Sequence, residues 1–558
     1  MKATLQQLRI HNFKAFPEFD LKLEGRHLLL YGPNGSGKSS LYWALYTFLQ
    51  SSRKSAADVS RYFTPAHSEA LLNINADPAA NPGEISLTIR ETVSGKDTSY
   101  RIGKDVHDTH KKPPILKADL ASDFITYRFF FGFSNFRNSE RFNIWPIFER
   151  EILPFCVSTS GGTQSPEEMW NRIKSGEANP KKYKGPAAAK AYDLFQQETD
   201  SFAAILPGIV DSISSEAQRL YDGYFKEADA AKLTLKLGLV SPAAYDRQKQ
   251  KFSPPVIEFG IQLGSKTITK PQTFLNEAKL TQLALSVRLA ASLVNLQQSD
   301  LKLLVLDDLL ISLDMNNRMK VVEILLSKNF ANYQKIILTH DLGFFQEFRR
   351  TIGAEHPDWC FESLSGDSIK GITKRTEKTE LQKAEAYLHG YNLDEAAICL
   401  RKATEGTVLR YLKPTIVPGK DFATLTQNLR AARNKLLEKL PTQLYDTVLS
   451  STSVAHREHL VPAGDADVDA LPDLALADQE AIKYQRKQLR SLLKNEHWKA
   501  IENAKLIDEV LKMTERVLNP GAHAGQAPLY ETEVQKAFDL IAKLEKCFTY
   551  PTIAEASI

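Results

Sequence analysis

Paired cysteines, long apolar runs and an excess of charge of one sign are all missing from this 558-residue sequence. The four cysteines, Cys156, Cys360, Cys399 and Cys547, lie far apart and form no C-x-x-C pair. That spacing argues against a disulfide framework or a structural zinc and predicts buried free thiols in a reducing, cytoplasmic compartment. No apolar run approaches the roughly 18 residues needed to span a bilayer, so no membrane partner is expected. The amino-terminal stretch is broken by Lys14, Glu18 and Asp20, unlike a signal peptide. The net charge is only +4, so the chain as a whole is no polycation built to coat nucleic acid. Low-complexity tracts and internal repeats are also absent, as are H-E-x-x-H and G-x-S-x-G motifs.

What remains is an ordinary globular balance, 43% apolar and 25% charged, in a chain too long for one core. Leu5 to Asn12 alternates as a strand, His27 to Tyr31 is a second apolar run, and Ser39 to Gln50 has helical spacing. Glu84 to Ile102 is strand-like again, and the basic stretch His110 to Pro114 reads as a loop. Residues 165–235 read as mostly helical around a Lys181–Pro186 loop, without sustained heptads, which predicts a compact insertion rather than a coiled-coil arm. Strands and helices alternate from Val256 to about Ile372; from Glu377 to Phe548 the pattern is helical, except for the Ala/Asp/Pro-rich stretch Ser450–Asp478. The predicted class is α/β over 1–375, with the insertion, followed by a mostly α-helical domain over 376–558.

Gly32-Pro33-Asn34-Gly35-Ser36-Gly37-Lys38-Ser39-Ser40 fits G-x-x-x-x-G-K-[ST] between a strand and a helix. There the backbone N–H groups and the positive helix end face the phosphates of ATP. Lys38 then reaches the β- and γ-phosphates, and the Ser39 hydroxyl ligates Mg²⁺. Far downstream, the apolar strand Leu301–Leu306 ends in Asp307 and Asp308. Asp307 is placed to hold Mg²⁺ through water and Asp308 to polarise the attacking water. Ser312-Leu-Asp314 follows, and a second apolar strand ends in Thr339-His340-Asp341, where His340 can meet the γ-phosphate or that water.

The opening Leu8-Arg-Ile-His-Asn-Phe-Lys-Ala-Phe16 resembles the first strand of RecF, SMC and Rad50-like ATPases, and the later motifs follow in that family's order. The resemblance covers about residues 1–375 and implies an ABC-type ATPase head that dimerises around ATP, as a homodimer or higher oligomer. Thr273-Phe-Leu-Asn-Glu-Ala-Lys279 resembles the ABC signature, which implies that Asn276 of one subunit meets ATP held by Lys38 of another. Three departures mark this chain. Asn276-Glu277-Ala278 replaces the usual Ser-Gly-Gly, Asp308 replaces the usual Glu, and the metal-sensing glutamine is missing, with Phe130–Glu140 in its place. Together they imply a slow switch rather than a fast motor. The short insertion resembles the compact ATPases of bacterial anti-phage defence, such as the Septu and retron-associated ATPases and the anticodon nucleases PrrC and RloC. That resemblance implies a nuclease effector, in a partner subunit or in the chain's own helical domain. A RecF-like repair clamp on DNA and a structural assembly protein are the competing readings.

In the helical domain, Glu385 to Leu412 is amphipathic, with Arg401 and Glu405 four residues apart on one face. Near the end, Arg516 is followed at seven residues by His523, across Pro520-Gly521. This resembles the HEPN ribonuclease pattern, which implies metal-free RNA cleavage with His523 as acid or base and arginine on the phosphorane; tRNA is then a candidate substrate. A surface Arg–Glu salt bridge accounts equally well for the first pair. Lys111-Lys112 and Lys181-Lys182-Tyr-Lys184 could touch a nucleic-acid backbone, and both also read as solvated loops. His456 and His459 read as solvated.

Overall fold

The computed structural model describes residues 3–75, 82–127, 129, 133, 142–156, 165–176, 186–226, 233–246, 251–294, 299–308, 315–353, 356–367, 371–376, 378–412, 424–438, 479–484, 495–519 and 528–548. It divides into two compact units, Met1–Arg349 with Pro357–Glu377, and Arg350–His356 with Lys378–Ile558. Asp314, the Ser450–Asp478 stretch with His456 and His459, the Lys181–Lys184 cluster and His523 lie outside the described residues, as does all of Phe130–Glu140 but Phe133.

Unit 1 is built on two sheets. The first is antiparallel, in the order β2–β1–β4–β5, from β1 (Ala3–Phe13), β2 (Phe16–Lys22), β4 (Glu84–Glu91) and β5 (Asp97–Gly103). The second comprises β3 (His27–Tyr31), β6 (Asp123–Thr126), β12 (Leu303–Asp307), β13 (Gln334–Thr339), β14 (Trp359–Asp367) and β15 (Gly371–Thr376), in the order β15–β14–β3–β13–β12–β6. All its neighbours pair in parallel except β15, which returns antiparallel to β14. Leu303–Asp307 and Gln334–Thr339 are buried at every residue, as a parallel sheet covered on both faces requires.

The helix α1 (Lys38–Gln50) follows β3 and buries Leu41, Leu45 and Phe48 in one core cluster with Leu8 and Ile10 of β1 and Val305 of β12. Burial of this kind, roughly 25 cal/mol per Å² of apolar surface, fixes the helix on the sheet. It places the amino end of α1 at the carboxyl ends of the parallel strands, where open α/β sheets bind ligands.

Five further strands of unit 1 pair apart from these sheets: β7 (Leu233–Ser241), β10 (Val256–Leu263) and β11 (Lys266–Ile268) in one, β8 (Ala244–Asp246) and β9 (Lys251–Ser253) in another. The remaining helices of unit 1, among the described residues, are α2 (Ala56–Tyr62), α3 (Pro113–Ala121), α4 (Trp145–Glu151), α5 (Pro166–Gly176), α6 (Pro186–Leu220), α7 (Glu277–Leu293), α8 (Met315–Leu326) and α9 (Leu342–Ile352). Residues 165–235 thus hold α5, α6, a π-turn at Tyr221–Phe225 and the start of β7. Arg288 of α7 is buried at 1% exposure and grips Asp123 of β6 with both nitrogens, at 2.5 and 2.7 Å.

Unit 2 is helical: α10 (Glu380–His389), α11 (Leu393–Leu412), α12 (Leu425–Leu437), α13 (Asn495–Met513) and α14 (Glu531–Cys547). Leu388, Leu400, Leu429, Ile507 and Ile541 join in its core. Capping boxes start α10 at Thr379 with Gln382 and α12 at Thr424 with Gln427. The amphipathic stretch Glu385–Leu412 is two helices, not one. The chain turns at Gly390–Asn392, with Tyr391 at φ 57° and Asn392 N–H bonded to Tyr387 O at 2.9 Å. Among the described residues, no helix is long and apolar enough to cross a membrane. All four cysteines are free, and Cys156, Cys360 and Cys399 are buried.

Candidate nucleotide site

The loop from Gly32 to Gly37 is held by few contacts and strict sterics. Gly32 N–H bonds Thr339 O at 3.0 Å, and Ser36 N–H bonds Pro33 O at 3.2 Å. The Ser36 side chain folds beneath the loop, fully buried, where a Cβ on Gly32 would sit 2.3 Å from its oxygen. Gly37, at φ 89°, precedes α1, and a Cβ there would meet Phe16 and Ile372 at 2.8 and 2.9 Å. Three positions therefore favour glycine: Gly32 for close approach, Gly35 for its left-handed backbone at φ 86°, and Gly37 for both.

Gly37 caps α1 without a side-chain hydrogen bond; its carbonyl takes the Ser40 and Leu41 N–H groups, at 2.9 and 3.2 Å, so the N–H groups of Lys38 and Ser39 are the ones that face a ligand at this helix end. Ser39 is exposed, whereas Ser40 is buried and accepts from Ala15 N–H at 3.3 Å. Lys38 is buried; its Nζ donates to Gly32 O at 2.7 Å and Pro33 O at 3.3 Å, and lies 3.6 Å from Asp308 Oδ2.

Asp307 ends β12 in the ladder, and Asp308 follows with φ 51°. Asp308 Oδ1 accepts from the backbone N–H of His340 at 2.9 Å and faces His340 Nδ1 at 2.9 Å. One residue on, Asp341 Oδ1 accepts from Phe344 N–H at 2.9 Å, and Arg318 bonds its other oxygen. Burial alone would raise this carboxyl, but the Phe344 N–H and the Arg318 guanidinium hold it below the usual range.

The structure thus brings Lys38, Asp308 and His340 together and sets Asp307 beside them. Asn276 makes no hydrogen bond with that cluster. It is exposed and caps α7, accepting from Lys279 N–H at 2.9 Å. Uncapped helix N–H groups, a buried lysine and strand-end carboxylates fit a polyphosphate with Mg²⁺. Among the described residues no group of three His, Cys, Asp or Glu could hold a metal alone.

The two candidate arginines of unit 2 are each tied to a carboxylate. Arg401 donates to Glu405 at 3.0 Å and to Asn519 Oδ1 at 3.0 Å. Arg516 donates to Glu533 at 2.9 Å and to Pro528 O at 3.3 Å, with its guanidinium 5.7 Å from the Tyr530 ring centre.

The family model described as the RecF/RecN/SMC N terminal domain matches residues 4–360. The chain belongs to this family. Residues 4–360 are thus an SMC/RecF-type ABC ATPase domain. Over 137 residues it is 26% identical to the chromosome partition protein Smc of Methanocaldococcus jannaschii, a match over 21% of this chain and 11% of that protein. The chain therefore spans about a tenth of that curated relative's length. Among solved structures, it is similar to the Pyrococcus furiosus Smc head domain with an extended coiled coil bound to the C-terminal domain of ScpA. That match has a TM-score of 0.36 and 14% identity, covering 70% of this SMC/RecF-type chain and 100% of the other. The ATP-bound recombination mediator RecF of the RecFOR pathway matches with a TM-score of 0.41 and 12% identity, covering 67% and 99%.

One polar group beside Asp307, Thr126 at the end of β6, carries no sequence motif and enters only through the strand register.

Proposed function

We propose that the chain is a slow ATP-hydrolysing switch whose heads close in pairs around ATP, and that it controls a nuclease effector in an anti-phage defence system. The observation that carries the ATPase reading is the cluster of Lys38, Asp308 and His340 at the carboxyl edge of the parallel sheet. Lys38 is poised on the loop carbonyls of Gly32 and Pro33, and turning its Nζ to the β- and γ-phosphates releases Asp308 Oδ2 from their ion pair. His340 holds Asp308 Oδ1 through two contacts, which leaves Oδ2 to accept the proton of the attacking water. Mg²⁺, held by Ser39 and Asp307, would neutralise charge on the phosphates. Asn276 at the exposed amino end of α7 would close the same site from a second chain.

The defence role is supported by the short span of the insertion, whose helices run 11 and 35 residues, and by the Leu-Asn-Glu-Ala signature. Unit 2 would then be the effector or the platform that docks one. A RecF-like clamp on DNA is the second reading, favoured by the family match itself.

The test mixes the full chain with Mg-ATP and either total tRNA or duplex DNA. ATP-dependent tRNA cleavage that fails in His523→Ala assigns the effector to unit 2. Intact tRNA with ATP-dependent retention of DNA favours the clamp.

A further inference from the structure

At the carboxyl end of β6, Thr126 stands opposite Asp307 in the parallel ladder. Register partners on neighbouring strands project to the same face, and so do residues two apart along one strand. The packing beneath fixes which face this is. Phe124, Leu303 and Val305 share one core cluster with Leu41 and Leu45 of α1. The Phe124 ring meets Tyr42 and Tyr46 of α1 edge-on, with centroids 5.4 and 5.2 Å apart.

Thr126 and Asp307 therefore face α1 as well, each two residues nearer the carboxyl edge, a step of about 6.6 Å. Because α1 runs back from that edge, the same step leads along the helix from Tyr42 toward Ser39, about one turn away. The Thr126 hydroxyl is buried in this place and has no hydrogen-bond partner. Such a group is costly to leave unpaired, and valine would fill the same volume without that cost. Its hydroxyl calls for a partner that arrives with a ligand.

We propose that Thr126 is a positioning residue that orients a water in the shell of the nucleotide's Mg²⁺, beside Asp307. The proposal rests on the ATP reading of the site. The hydroxyl both donates and accepts, so one Thr126 side chain can hold a cation-bound water and fix its orientation. Partners of this outer kind tune metal affinity without touching the metal.

The experiment measures ATP binding to the full chain at equilibrium, once with Mg²⁺ and once with EDTA. Thr126→Val keeps the shape and removes the hydroxyl; Thr126→Ser restores it. The proposal expects Thr126→Val to bind Mg-ATP about tenfold more weakly, to match the parent in EDTA, and to be rescued by serine. Parent-like Mg-ATP binding by Thr126→Val overturns it. An equal loss in both buffers also overturns it, because the hydroxyl would then serve the fold or the phosphates rather than the cation. A parent chain that binds no ATP in either buffer sinks the ATP reading itself, a result distinct from both.

Discussion

The imidazole Nδ1 of His340 lies 2.9 Å from Asp308 Oδ1, and the His340 backbone N–H reaches that same oxygen at 2.9 Å. Both contacts from one residue fall on Oδ1, the backbone N–H as donor, while the other oxygen faces Lys38 at 3.6 Å. Asp308 holds this pose in a left-handed backbone conformation at φ 51°, which costs a non-glycine residue about 1–3 kcal/mol.

Asp308→Asn follows directly. Asparagine tolerates the left-handed backbone and still accepts from the His340 N–H through its carbonyl, so the loop should keep its shape. It cannot take a proton from water. ATP binding is expected to stay close to that of the parent while single-turnover phosphate release falls about 100-fold or more. Unchanged release would remove Asp308 from the reaction.

Gly37→Ala tests the sterics of the loop. A methyl there meets Phe16 and Ile372 below 3 Å, on a backbone at φ 89°. The expected cost is about 1–3 kcal/mol in denaturant unfolding of unit 1, together with loss of ATP binding. Parent-like stability and binding would show that the loop relaxes freely.

Arg288→Met tests how α7 is tied to the sheet. Arg288 and Asp123 are both buried, at 1% each, and methionine would leave the Asp123 carboxylate without its main partner. Breaking a buried pair from one side costs about 3–5 kcal/mol. Replacing Asp123 by asparagine in the same chain should recover part of that loss, read as a rise in Tm over the single variant.

The strands and the glycine-rich turn between β3 and α1 were legible because several signals coincide there. Leu303–Asp307 is apolar at every residue until its acid, and the glycines of the loop stand between a strand and a helix. Contacts distant in sequence were not legible. Arg288 reaches Asp123 across 165 residues, and Thr126 meets Asp307 only through the sheet register. The turn at Gly390–Asn392 had a signal that the amphipathic pattern masked: Gly390 caps the end of α10, and the Tyr391 and Asn392 N–H groups close on Leu388 O and Tyr387 O. Asn276 could have been read as a helix cap, from an Asn directly before a Glu-led helix.

The central claim is that Lys38 and its loop hold the phosphates of ATP. Equilibrium dialysis of the full chain against Mg-ATP, beside Lys38→Ala, tests it most directly. The account predicts saturable binding of one ATP per chain, weakened about 10–100-fold by the substitution, since a charged hydrogen bond contributes about 1.5–3 kcal/mol. Equal binding by both proteins, or none by the parent, would contradict it.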